Sequence, residues 1–168
     1  LWTVNNPAPA AQNDGFGASE DAIATVVGNA LANDVDADSD LLTAAVQTGV
    51  AGSGGGLFSI AANGDVTFHP DGQFEDLAQG ETRTTSFQYT VIDADGATST
   101  ATVTVTVTGQ NDAPVLIGSI ADRSSHDSDV VLLDVSGAFA DGDASDILTF
   151  TATDLPAGLA APARRALA

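Results

Sequence analysis

Between Thr98 and Thr108 apolar and polar side chains alternate without interruption, Val103, Val105 and Val107 on one side and Thr102, Thr104 and Thr106 on the other. Side chains of an extended chain point to opposite faces in turn, so this pattern predicts a strand with one face in a core and the other in water. Residues 85–92 alternate in the same way, and Asp93-Ala94-Asp95-Gly96 between the two runs offers a glycine able to take positive φ. Together they predict an antiparallel hairpin. The same reading puts further strands at residues 14–18, 23–31, 42–50, 57–60 and 66–68. Asn63-Gly64, between the last two, is a step favoured in tight hairpin loops. No stretch carries the apolar period of an amphipathic helix. Ser53-Gly54-Gly55-Gly56 lacks the lysine of a phosphate-binding loop and predicts a flexible connection.

Seven short strands in about 100 residues, separated by turn signals, predict an all-β fold, a seven-stranded immunoglobulin-like Greek-key β-sandwich. An internal repeat extends this to tandem modules. Asn6-Pro7-Ala8-Pro9 is echoed by Asn111-Asp112-Ala113-Pro114. The acidic run from Asp36 to Asp40, before Leu41-Leu42-Thr43, is echoed by the run from Asp141 to Asp146, before Ile147-Leu148-Thr149. The expected organisation is the tail of a preceding module with its linker at 1–9, a complete sandwich at 10–113, and the first half of a second module at 114–159. Strands of a half-module lack partners, so that segment is expected to be poorly stable alone. Residues 160–168 are Ala-rich with two Arg, break the pattern, and read as truncation or non-native sequence. A chain that opens on Leu1 reads as a segment of something longer, with Trp2 belonging to the preceding module.

Charge narrows the function classes. The 168 residues carry 23 Asp and Glu against 4 basic residues, all Arg, for a net charge of −19. Such a polyanion repels nucleic-acid phosphates and anionic membrane surfaces, and makes metal cations the natural partner. Disorder is excluded by a hydrophobic content of 43% arranged in strand-period runs. Cysteine is absent, which removes disulfides, thiol catalysis and cysteine-based zinc sites. No apolar run approaches the roughly 20 residues of a membrane-spanning helix, so direct membrane insertion is not expected. Asp outnumbers Glu 20 to 3 and clusters between the apolar runs, where short carboxylates shape turns and metal cages.

Alternate loops of a Greek-key sandwich fall at alternate ends, which sorts these carboxylates into two groups. The proximal end, where the chain enters the sandwich, receives Asp36, Asp38 and Asp40, then Asn63 and Asp65, then Asp93 and Asp95. The distal end receives Glu20 and Asp21, then Asp71, Glu75, Asp76 and Glu81, and finally the linker Asn111-Asp112. Asp141 and Asp143 approach the same junction from the following segment. An Asp-x-Asp spacing in extended chain puts both carboxylates on one side, able to share one ion. Without a cation, like charges at 4 Å cost roughly 1 kcal/mol per pair even in bulk water. Calcium, which takes six to eight oxygen ligands at about 2.3–2.6 Å, suits such groups better than octahedral magnesium.

The sequence also resembles a known family. Phe74-Glu-Asp-Leu-Ala-Gln-Gly-Glu81, Phe87-Gln-Tyr-Thr-Val91, Asp93-Ala-Asp-Gly96, the Thr/Val strand and Gly109-Gln-Asn-Asp-Ala-Pro114 follow one another as in a VCBS repeat, a bacterial cadherin-like module. Ser19-Glu-Asp21 and Gly28-Asn-Ala-Leu-Ala-Asn-Asp34 match the front half of that pattern. After residue 113, Ala138-Phe-Ala-Asp-Gly-Asp143 and Leu155-Pro-Ala-Gly-Leu159 are similar to a dystroglycan-type cadherin-like or Ig-like domain. The resemblance implies a calcium-binding spacer of a large secreted or surface bacterial adhesin, exported by type I secretion and extracellular. Its partners would be neighbouring modules of the same chain. The alternative it leaves is a module that itself binds cell-surface carbohydrate or matrix exopolysaccharide. It further implies a distal junction built from Glu20, Asn111, Asp112, Asp141 and Asp143, with Glu75, Asp76 or Glu81 as a loop ligand. It leaves the proximal junction, where Pro7 stands in place of a linker Asp, to Asp14, Asp36, Asp38, Asp40, Asp93 and Asp95.

Plainer readings compete at each position. Asp36, Asp38 and Asp40 can form a solvated turn, although the second copy at Asp141 favours a metal. Asp93 and Asp95 are equally suited to shaping a hairpin, and Glu20 to ending a strand. An EF-hand starting at Asp36 is excluded, because Leu41 falls where glycine is required and Gln47 where the bidentate Glu belongs. His69 and His126 have no ligating pattern around them in the sequence. An enzyme is not expected, since the few aromatic residues occupy core strand positions rather than a cleft.

Overall fold

The computed structural model describes residues 6–121, 126 and 133–153. Trp2, the 155–159 motif and the 160–168 tail lie outside the described residues. The alternating run forms β8 (Thr98–Thr108), and residues ahead of it form β7 (Thr82–Ile92). They pair antiparallel in unbroken register from Thr82↔Thr108 to Ile92↔Thr98. At the turn, Asp93 N donates to Ala97 O at 3.1 Å and Gly96 takes φ of 91°. Against the far side of β8 lies β1 (Asp14–Ser19), parallel, from Asp14↔Val103 to Ser19↔Thr108.

The second sheet holds β2 (Thr25–Asn29), β6 (Asp65–His69), β5 (Leu57–Ile60) and β4 (Gln47–Ala51), in that order. The predicted third strand, 42–50, is divided. Its first part, β3 (Thr43–Ala44), pairs with β7 in the first sheet, while β4 pairs with β5 in the second. The chain changes sheets at Ala45 and Val46. Seven predicted strands thus occupy two four-stranded sheets, β1-β8-β7-β3 and β2-β6-β5-β4, as a sandwich.

The inward faces supply the core. Phe58 of one sheet stacks on Phe87 of the other with ring centroids 4.6 Å apart, and Phe68 packs on Phe58 at 4.8 Å and on Phe74 at 6.2 Å. Tyr89, Val91, Val103, Val105 and Val107 complete the buried layer. Each fully buried side chain of this kind contributes about 1.5–3 kcal/mol relative to exposure.

The glycine run, expected to be flexible, is instead fastened to β7. Thr85, fully buried, donates its hydroxyl to Gly55 O at 2.7 Å and accepts from Gly54 N at 3.2 Å. Ser53 N donates to Ser86 O at 2.9 Å. A side chain at Gly54 would put its Cβ 2.3 Å from Thr84 O. These glycines permit close backbone approach rather than motion.

Beyond the linker, β9 (Val115–Leu116) pairs antiparallel with β10 (Phe139–Ala140), which follows a single 3-10 turn at Ser136–Ala138. Val115, Leu116 and Ile117 remain exposed. The pairing is too short to bury them.

Gly54→Ala should lower stability by about 1–3 kcal/mol, the usual range for overpacking a site bounded by backbone. Gly15→Ala, with nothing within 4 Å of its Cβ, should leave stability unchanged or slightly raised. Denaturant midpoints of the two variants check the contrast; equal midpoints would show the arch to be yielding.

Candidate functional site

Two acidic groups form at opposite ends of the sandwich. At the distal end, β1 runs out beside the end of β8, and Glu20 N donates to Thr108 O at 3.1 Å. This turns the Glu20 side chain inward, where it is 3% exposed. One of its carboxylate oxygens accepts the backbone N–H of Gln110, and the other, Oε2, is buried with no partner. Burial raises the Glu20 pKa, and the nearby charges of Glu75, Asp112 and Asp21 raise it further.

The loop 141–146 meets this surface. Asp143 is 1% exposed; its Oδ2 accepts the Asp112 N–H at 2.9 Å, while its Oδ1 is buried without a partner. Alternate linker amides therefore hold one carboxylate from each side, Gln110 that of Glu20 and Asp112 that of Asp143. Ala144 N donates to Asp76 O at 3.2 Å, and the Ser145 hydroxyl donates to Glu81 Oε1 at 3.0 Å. Gly142 lies against the Asp112 carboxylate so closely that a Cβ there would sit 2.6 Å from Oδ2. Asp141, Asp143 and Asp146 each bring a carboxylate oxygen within 4.8 Å of the others. Burial raises the Asp146 pKa, with Asp143, Asp141 and Glu81 adding to the effect.

The three loop candidates separate by their partners. Asp76 is paired with Arg83, which lowers its pKa and also lies over the Phe74 ring at 5.7 Å. Glu81 is engaged by Ser145 and by Ala78 N at 3.2 Å. Glu75 is the one whose charge acts on Glu20. Asn111 is exposed and donates its side-chain amide to Asp112 O at 2.7 Å.

At the proximal end, Asp36 Oδ1 accepts the amides of Asp38 at 3.0 Å and Asp40 at 3.4 Å, and Ser39 adopts φ of 70°. The three carboxylates converge through this turn, not through the extended chain that the spacing suggested, and reach within 4.8 Å of one another. Asp36 Oδ2 is buried without a partner. Sharing of a proton with Asp36 pushes the Asp38 carboxyl up to about 6 and holds Asp36 below its usual range. Asp40 is raised by burial and by the charges of Asp95, Asp36 and Asp93, which places the hairpin turn beside this loop.

Asp93 takes the turn-shaping role left open for it. Its Oδ1 accepts Asp95 N at 3.0 Å and Ala97 N at 2.8 Å, shaping the turn, while its Oδ2 accepts the Asn6 side-chain amide at 3.1 Å. Asn6 Oδ1 is itself buried and unpartnered. Asp95 is exposed at the rim. Asp14 stands apart from this group, with its Oδ2 against the Tyr89 hydroxyl. Sequence reasoning overlooked Asn6, although its echo at Asn111 was a usable signal, and it passed over Asp146 within the second acidic run.

No curated protein sequence matches the chain. The structure of protocadherin gamma B7 extracellular cadherin domains 1–4 is similar over 89% of this chain and 37% of its own length, at 21% identity and a TM-score of 0.51. Human mucin-like protocadherin EC1-2 is similar over 62% of this chain and 54% of its own, at 20% identity and a TM-score of 0.42. The chain therefore spans less than two thirds of either, and the first likeness establishes the fold. Residues 6–109 match the bacterial cadherin-like domain, and the chain belongs to that family.

Proposed function

We propose that this chain is a calcium-binding structural segment of a large secreted or cell-surface bacterial adhesin, in which cations at module ends stiffen a tandem β-sandwich rod. Cadherin-like domains are extracellular adhesion modules rather than enzymes, and generally bind calcium. No helix among the described residues is long and apolar enough to cross a membrane.

One observation carries the reading: Glu20 Oε2 and Asp143 Oδ1, from the two sides of the 110–112 linker, are both buried without a partner. An unpaired buried carboxylate oxygen costs on the order of 1–3 kcal/mol or more, so such atoms persist where something else completes them. Hard oxygen donors crowded at this density suit a divalent ion that accepts many of them. Glu20, Glu75, Asp112, Asp141 and Asp143 would hold it at the distal end, with Asn111 adjoining. Asp36, Asp38, Asp40 and Asp93, with Asp95 and Asn6, would hold a second at the proximal end. The ion supplies positive charge that the chain lacks. An ion that binds only the folded arrangement stabilises it as its concentration exceeds the dissociation constant, which suits a chain exported unfolded into calcium-rich surroundings. Under this reading residues 114–159 open a second module whose acidic loop completes the distal junction. Carbohydrate binding draws no support from the surface, because no aromatic ring among the described residues is exposed.

Thermal melts of the full chain in calcium and in chelator test this. A transition several degrees higher in calcium is expected, and coincident melts would overturn the reading. Glu20→Gln sharpens it by a reversal of sign. Near neutral pH in chelator the variant should melt above the wild type, because a buried unpaired charge is gone; in calcium it should melt below, because a ligand is gone.

The chelator half of that result depends on pH. The Glu20 pKa is raised in the folded chain above an ordinary value of 4.5, so its contribution is fully present in acid and is lost as pH rises through the raised value. Glu20→Gln should therefore match the wild type in acid chelator buffer and exceed it only toward neutrality. Differential scanning calorimetry across that range reads the crossover, and a pH-independent difference would contradict it.

A further inference from the structure

Beneath the proximal end lies a polar group that the cation sites do not use. Tyr89 is 1% exposed, and four oxygens surround its hydroxyl: Ala30 O at 2.9 Å, Asp14 Oδ2 at 3.0 Å, Gln12 O at 3.1 Å and Asp34 Oδ2 at 3.2 Å. All four are acceptors when both carboxylates are ionised, and a phenol has one proton to give. Three close oxygen pairs are then left without a hydrogen between them, and two negative charges flank one buried hydroxyl. A metal ion does not resolve this, because the oxygens converge on the phenol oxygen and the centre is already occupied.

A second proton, carried by one carboxyl, removes one of the two charges and leaves two such pairs in place of three. We propose that Asp14 holds a proton in the folded chain and donates it to the Tyr89 oxygen, making the Asp14–Tyr89–Asp34 group a pH-sensitive fastening between the start of β1, the turn after β2, and β7. With Asp14 protonated, the Tyr89 hydroxyl accepts one hydrogen bond and donates its own to Asp34 Oδ2 or Ala30 O. The other oxygen of Asp34 accepts the Gln12 N–H at 2.7 Å. The groups facing Asp14 are Tyr89 from β7 and Asp34 and Asn33 from the turn after β2. Burial raises the Asp14 pKa foremost and the Asp34 charge adds to it, against the opposing hydrogen bonds of Tyr89 and Asn33.

The sign follows. A carboxyl whose folded pKa lies above its unfolded value stabilises the fold fully in acid and loses that contribution as pH rises through the folded value. The fastening is therefore tightest where carboxylates bind cations least.

The test uses the full chain in chelator, so that cation binding cannot contribute. Asp14→Asn places a permanent N–H where the proton is proposed. The variant should melt several degrees above the wild type in mildly alkaline buffer, and the gap should close in acid. A variant that melts at or below the wild type in alkaline buffer, or a gap that does not change with pH, overturns the proposal. Should the variant fold poorly, carboxyl NMR of the wild type decides independently. The Asp14 midpoint should lie above that of an aspartate in an unstructured reference peptide, and a midpoint at or below it overturns the proposal.

Discussion

The β7–β8 hairpin is the constraint on which the rest of the molecule depends. Its eleven-residue ladder puts Phe87, Tyr89 and Val91 on one inward face with Val103, Val105 and Val107, and this surface packs against the aromatic residues of the opposite sheet. The same ladder fixes where the chemistry sits. One end turns at Asp93, inside the proximal acidic group; the other leads into Gln110 and Asp112, whose amides hold Glu20 and Asp143. Eleven residues at about 3.4 Å each set the two groups roughly 35 Å apart. That exceeds the screening length of about 8 Å at physiological salt, so each acidic end answers to its own neighbours.

Between those ends the body of the sandwich is nearly uncharged, and positive charge is scarce. Among the described residues the single Arg is Arg83, and it neutralises Asp76 at the edge of the distal group. The backbone carbonyl of the same Asp76 accepts Ala144 N, a contact that ties the 141–146 loop to the sandwich. Backbone shape contributes as much as charge. Gly142 admits the Asp112 carboxylate where any side chain would collide with it, and the 52–56 arch admits the buried Thr85 hydroxyl. In both places a glycine that looks like slack in the sequence is a condition of close contact.

The acidic groups also show how a fold tolerates electrostatic conflict. Glu20, Asp36 and Asp143 each have one oxygen tied to backbone amides and the other buried and unmet. The amides fix orientation while leaving half of each carboxylate for a further partner. The Asp14–Tyr89–Asp34 group is a different case, because there the conflict centres on an oxygen and is relieved by hydrogen. Under the proposed function, cations and protons would divide the work of neutralising a chain with too few basic side chains.

Much of this was legible from periodicity alone. Two-residue alternation identified β7 and β8, Asp95-Gly96 marked the turn between them and Asn63-Gly64 that between β5 and β6, and the echo of Asp36–Asp40 at Asp141–Asp146 pointed to both acidic loops. Those features are local, and the sequence determines them because a strand face, a turn conformation and a repeat each depend on residues near one another in the chain. The division of the third strand between two sheets, the packing of the glycine arch on Thr85, the joining of Asn6 to Asp93 and the pairing of Asp76 with Arg83 were decided only by tertiary structure. Each depends on groups far apart in sequence whose distance, burial and competing partners exist only once the two sheets have closed.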